Sequence, residues 1–170
     1  MHFLSRPLFL AALTTLALAL VSISGLALFP RLAHAQLSAL KQHGKLPITT
    51  LTIGLYSVQA EVASREADRQ QGLMHRTSLG PNDGMLFIFD ENAQHCFWMK
   101  NTPLALSIAF INESGIITDI TEMKPETTQN HCPQHAGRYA LEMNQGWFAA
   151  KGIKPGMAMG GLPLWQETSR

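Results

Sequence analysis

Between residues 48 and 62 the chain alternates, with Tyr56, Val58, Ala60 and Val62 on one side and Ser57, Gln59 and Glu61 on the other. A period of two over this length predicts a half-buried β-strand. Ser64 then stands where a helix N-cap belongs, and Glu66 and Asp68 follow where a helix dipole favours acids. This predicts a short helix over 65–75, weakened at its end by Gly72. So few of its positions are apolar that it suits a helix laid over a sheet edge. Pro81-Asn82-Asp83-Gly84 is a dense turn signal, and an unbroken apolar run over 85–89 follows it. Further short runs at 95–99, 104–111, 116–121 and 139–144 predict strands, two of them separated at hairpin spacing by Asn112-Glu113-Ser114-Gly115. Residues 104–111 are apolar on both faces, as expected of a central strand or a barrel wall. Residues 146–153 predict one more helical turn ended by Gly152, and Lys154-Pro155-Gly156 a turn before a last strand near 157–162. The pattern as a whole predicts a mainly β (α+β) fold, a small barrel-like β domain with one or two short helices.

The apolar pattern of residues 1–35 is of a different kind. Residues 8–29 contain no charge, Arg6 precedes them, and Ala33-His34-Ala35 places small residues two apart. That order predicts a secretory signal peptide cleaved after Ala35. An uncleaved membrane anchor is the alternative, because a helix of this length crosses the hydrocarbon of a bilayer. Either way the remainder is placed in the periplasm or outside the cell, with the membrane involved only through the N-terminal segment. Residues 36–47 are polar and mixed, a linker, and 48–170 form a single β-rich domain. The division also changes the composition. The 170-residue chain is 46% apolar with 13 basic and 12 acidic residues, but 1–35 hold only two of the basic residues and none of the acids. Without that segment the chain is slightly acidic, which argues against a nucleic-acid partner and for an ordinary folded core.

The chemistry-bearing residues are sparse. Two cysteines, Cys96 and Cys132, are expected to pair in an exported protein. Each follows a histidine, His95 and His131, with His135 and Met99 nearby, so zinc or cuprous copper is a second possibility for the same thiols and an inert thiol pair a third. The other methionines are scattered and read as core filler. Glu61, Arg69, Arg76, Lys100 and Glu142 lie beside or within apolar elements. Glu61 and Glu142 are candidates for acid–base work, and their competing role is as ion-pair partners of Arg or Lys. The sequence contains no Gly-x-Ser-x-Gly elbow, His-Glu-x-x-His helix or glycine-rich phosphate loop, and it implies no cofactor.

The order of blocks is more specific. Glu61-Val62-Ala63, Gln71-Gly72-Leu73-Met74-His75-Arg76 and Gly84-Met85-Leu86-Phe87 come first. Phe97-Trp98-Met99-Lys100-Asn101-Thr102, Leu141-Glu142-Met143-x-x-Gly146 and Gly152-Ile153-x-x-Gly156 follow. Over about residues 59–163 the series resembles the bacterial and archaeal domain of unknown function 192 family. The resemblance implies a small, mainly β, barrel-like domain, often exported, and brings no catalytic assignment. Where the family's Pro-Leu-Asp is expected, this chain has Ala105-Leu106-Ser107. A serine there donates a hydrogen bond but is no base at neutral pH. Arg76, Trp98, Lys100, Asn101 and Thr102 together would make a site for an anionic or sugar-like ligand if they converge in a cleft. The leading expectation is therefore a non-enzymatic exported domain binding a small ligand or a partner protein. A hydrolase using Glu61 or Glu142 and a metal-binding protein using the His-Cys pairs stand beside it.

Overall fold

The computed structural model describes residues 45–163. The leader, most of the linker and residues 164–170 lie outside the described residues. Seven strands form one sheet curled into a half-barrel: β1 (Ile48–Ile53), β2 (Tyr56–Ala63), β3 (Asp83–Ala93), β4 (Leu106–Ile111), β5 (Ile117–Met123), β6 (Gly137–Asn144) and β7 (Met159–Gly160). Their order is β5-β4-β6-β3-β2-β1-β7. Only β2 and β3 run parallel. That pairing needs a crossover, which contains the short helix α1 (Glu66–Gln71). A second helical turn, α2 (Trp147–Ala150), follows β6.

The predicted single strand over 48–62 is two strands. The chain reverses at Gly54-Leu55, where Gly54 has φ +57°, and Ile53 pairs with Tyr56. A two-residue hairpin turn wants a left-handed first residue, which glycine supplies at little cost. The alternation runs straight through the reversal and conceals it. The predicted helix over 65–75 is shorter at both ends. Arg65, in extended conformation, occupies the N-cap without a side-chain cap bond, so Ser64 does not cap α1. Gly72, at φ +48°, stops the helix before Leu73. The run at 95–99 makes a single bridge, Phe97 to His131, because its partner segment is itself irregular. Strand β4 is buried along its whole length, as its two-faced apolar pattern predicts.

Alternation along the strands divides the buried residues between the two faces of the sheet. One face packs Leu51, Ile53, Val58, Leu86, Ala109, Ile111, Leu141 and Met143 against Trp147 and Phe148. The other packs Ala63, Met85, Phe87, Leu106, Ile108, Phe110 and Met123 under Leu73 and Met99. Gly84 lets β3 approach β6 closely, since a Cβ there would lie 2.6 Å from the Glu142 carbonyl oxygen. The two ends of the sheet meet at one corner. The Met159 N–H donates to the Gly115 carbonyl, the Ile117 N–H to that of Met157, and β7 is also hydrogen-bonded to β1.

Candidate functional site

The face that carries Met85 and Phe87 is roofed by two segments. The first is α1 with the Gly72-Leu73-Met74 stretch behind it. Beyond Ala63 strand β2 has ended, so the outer part of β3 is an unpaired edge there, and Arg69 covers it by donating to the Ile88 carbonyl at 2.9 Å. Arg69 also donates to the Ser64 carbonyl, to Glu66 at 3.0 Å and to Asp90 at 3.4 Å. The second segment runs from Cys96 to Thr102 and is laced to 126–132. Phe97 and His131 exchange backbone hydrogen bonds of 2.9 and 2.7 Å, Met99 donates to Thr127, and a Cys96–Cys132 disulfide closes the end. The Phe97 ring plugs downward, edge-on to Phe87 at 4.9 Å, Phe110 at 5.8 Å and Phe89 at 6.0 Å. Its neighbour Trp98 is turned outward and is 47% exposed. The two roofing segments are joined where the His75 N–H donates to the Asn101 carbonyl at 2.8 Å. Both residues are left-handed, at φ +63° and +56°, a conformation that costs non-glycine residues free energy.

Between roof and sheet lies a cavity of about 210 Å³. Its lining includes Gly72, Leu73, Phe87, Phe89, Phe97 and Trp98, with Glu66 and Arg69 of α1, Cys96, Thr102 and Glu142. Glu142 reaches it because β6 pairs with β3 in the register Met85 to Glu142 and Phe87 to Ala140, which puts its carboxyl on the roofed face. Only 4% of Glu142 is exposed, and among the described residues burial alone acts on its carboxyl, with no hydrogen bond to it. Burial without a compensating bond pushes its pKa up to about 8, so the group is mainly neutral at pH 7. A neutral buried carboxyl both donates and accepts hydrogen bonds.

The residues singled out from the sequence divide between the cavity and its surroundings. Trp98 and Thr102 line the cavity. Lys100 sits at its rim, with Nζ 5.3 Å from the Trp98 ring centroid. Asn101 is exposed in the turn between them. Arg76 stands outside, bonded through both terminal nitrogens to Glu61 at 2.7 and 2.6 Å. Those bonds raise its pKa further, partly offset by burial. Glu61 and Glu142 share a face of the sheet but are separated by Met85 on the intervening strand, about 10 Å at ordinary strand spacing. Glu61 does not line the cavity. Ser107 lies on the opposite face, fully buried. It donates to Glu122 at 2.8 Å and accepts from the Gly146 N–H at 2.8 Å. The departure from the family pattern at this position therefore lies across the sheet from Glu142 and does not face the cavity.

The metal expectation is corrected by the disulfide, which removes both thiolates. The histidines are also dispersed. His95 stacks on Phe89 at 3.6 Å, and His135 lies 3.7 Å from Asp119. Among the described residues no cluster of three or more His, Cys, Asp or Glu could hold a metal ion. Sequence reasoning missed the role of Phe87, Phe89 and Phe97 as cavity walls. The alternation of Met85, Phe87 and Phe89 on one face of β3 was the available signal.

The roofed half-barrel with its β2–α1–β3 crossover defines a small mainly β domain, and comparison places it. The chain matches the DUF192 family, described as "Uncharacterized ACR", over residues 49–161 and belongs to that family. It is similar to a crystal structure from Sinorhizobium meliloti 1021 described as a "putative transcription regulator". The two are 32% identical with a TM-score of 0.63, covering 67% of this chain and 92% of that one. A protein of unknown function from Novosphingobium aromaticivorans DSM 12444 is 31% identical with a TM-score of 0.65, covering 67% of this chain and 85% of that one. No curated protein matches the chain.

Proposed function

We propose that this is an exported domain that binds a small ligand in the cavity beneath the Cys96–Thr102 segment. Phe87, Phe89, Phe97 and Trp98 supply apolar contact, and Glu142 and Thr102 fix orientation. The observation that supports this best is Glu142. A buried carboxyl without a partner costs free energy, whereas a ligand can supply the missing bond. The volume lies below the usual range of about 300–1,000 Å³ for ligand pockets, so the occupant is small. Lys100 and Asn101 act at the rim, and Arg76 acts indirectly, holding the chain behind Met74 against β2.

A hydrolase working through two carboxylates fits less well, because Glu61 is engaged by Arg76 and stands outside the cavity. Export is supported by the disulfide, a bond that persists in oxidising compartments. A reporter active only after translocation, fused behind residues 1–35, should be active; a cytoplasmic, inactive fusion would refute export. Ligand binding is tested by fragment screening with protein-detected NMR. Binding fragments should shift the Trp98 indole and Thr102 signals and lose affinity in Glu142→Gln. Fragments that bind elsewhere and ignore that substitution would overturn the assignment.

A further inference from the structure

We infer that the cavity is built for a small organic cation, an alkylammonium whose nitrogen rests against Glu142 while its carbon body fills the aromatic space. This deepens the ligand-binding reading and rests on it. Four rings, Phe87, Phe89, Phe97 and Trp98, line the space above a carboxyl that has no partner among the described residues. An aromatic face attracts a cation through its quadrupole, most strongly where water is excluded. The chain's own cations already use these walls. Lys100 Nζ lies 5.3 Å from the Trp98 centroid, and the Arg69 guanidinium carbon 5.5 Å from that of Phe89.

Arg69 is no rival for Glu142, because its guanidinium is committed to the Ser64 and Ile88 carbonyls and to Glu66 and Asp90. The charged lining of the empty cavity is then Arg69 against Glu66, with Glu142 neutral. An incoming ammonium keeps that balance by taking the place of the Glu142 proton. An incoming anion would meet a guanidinium already saturated.

The empty site holds its proton, and a bound cation expels it. The groups around Glu142 leave this titration to Glu142 itself. Met85 of β3 and Ile108 of β4 flank it without charge, and Glu61 of β2, beyond Met85, is paired with Arg76. From the roof, α1 presents Glu66 and Arg69, and the Cys96–Thr102 segment presents Trp98 and Thr102. Cation affinity should therefore rise with pH, by up to about tenfold per unit for one linked proton below pH 8, and level off only above it.

The test is calorimetric titration of the full chain, disulfide intact, with n-butylammonium chloride and with n-butanamide as a neutral probe of similar size. Titrations run from pH 6 to 8.5 in buffers of different ionisation enthalpy, with potassium chloride as the salt control. The expected result is butylammonium binding that tightens with pH and releases about one proton, with butanamide weaker. Glu142→Gln should lower the ammonium affinity at least about tenfold and abolish proton release. The exposed Trp98→Leu, which leaves the core intact, should lower it by about three- to tenfold. Preferential butanamide binding that weakens above pH 8 would overturn the cation but leave the ligand cavity standing. Binding of neither probe would overturn both.

Discussion

Ser107 on β4 and Glu142 on β6 stand on neighbouring strands one register step apart and point to opposite faces of the sheet. Both are almost wholly buried. On the Leu141 face, Ser107 is satisfied three times over, by two Glu122 oxygens and the Gly146 N–H, and it ties the turn before α2 to the sheet. On the Met85 face, Glu142 has no such partner and borders empty space. The first arrangement is what a structural polar group looks like, and it shows that this fold can satisfy one. The second is therefore informative, because a buried polar group left without a bond costs stability unless something else supplies it.

The largest test of this contrast removes the roof's tether. Replacing Cys96 and Cys132 by serine frees a loop closed across a separation of 36 residues. By the chain-entropy relation this should lower stability by about 4 kcal/mol in a denaturant titration, with hydrogen exchange rising first in residues 96–102. Leu141→Ala, on the filled face, should cost about 3 kcal/mol, since the tightly packed site must retain a cavity. Glu142→Gln should do the reverse at alkaline pH. The folded-state pKa of about 8 lies above the ordinary carboxyl value of 4.5, so burial favours the protonated form. That contribution is complete below pH 4.5 and is lost as pH rises toward 8. At pH 8 the glutamine variant should be more stable than wild type by on the order of 4 kcal/mol, and the two should converge at pH 4 in thermal melts. Equal melting temperatures at pH 8 would mean that Glu142 is solvated.

Ser107→Ala should lose about 1.5 kcal/mol, the cost of stripping the Gly146 N–H and Glu122 of a buried partner, read by the same denaturant titration. The smallest effect belongs to Arg76→Ala. Its pair with Glu61 is partly exposed, so the melting temperature should fall by no more than a few degrees, corresponding to under about 1 kcal/mol.

Much of the fold could be read because its signals are local. Six buried residues in a row mark β4, and Asn112-Glu113-Ser114-Gly115 marks the turn after it. The hairpin at Gly54 escaped because its tight turn preserves the alternation on both sides. The helix is shorter than predicted because Gly72, which in sequence reads as a weak point, ends it outright at φ +48°. At the site, Glu142, Trp98 and Thr102 were identifiable as candidates, but the cavity joining them was not. It depends on Ala140 beside Phe87, on a glycine at 72 and on a phenylalanine plug from a segment without regular structure. Arg76 stands apart from that cavity because its partner Glu61 lies 15 residues back, on the strand before the crossover.

The corner where residues 156–159 bond to both Gly115–Ile117 and β1 bears on solubility. A curled open sheet has two edges with unpaired backbone groups, each able to recruit a strand from another molecule. Here one short stretch near the end of the described chain occupies part of both. Losing it would expose two adhesive borders at once, and a chain truncated before Gly156 should self-associate long before its core unfolds.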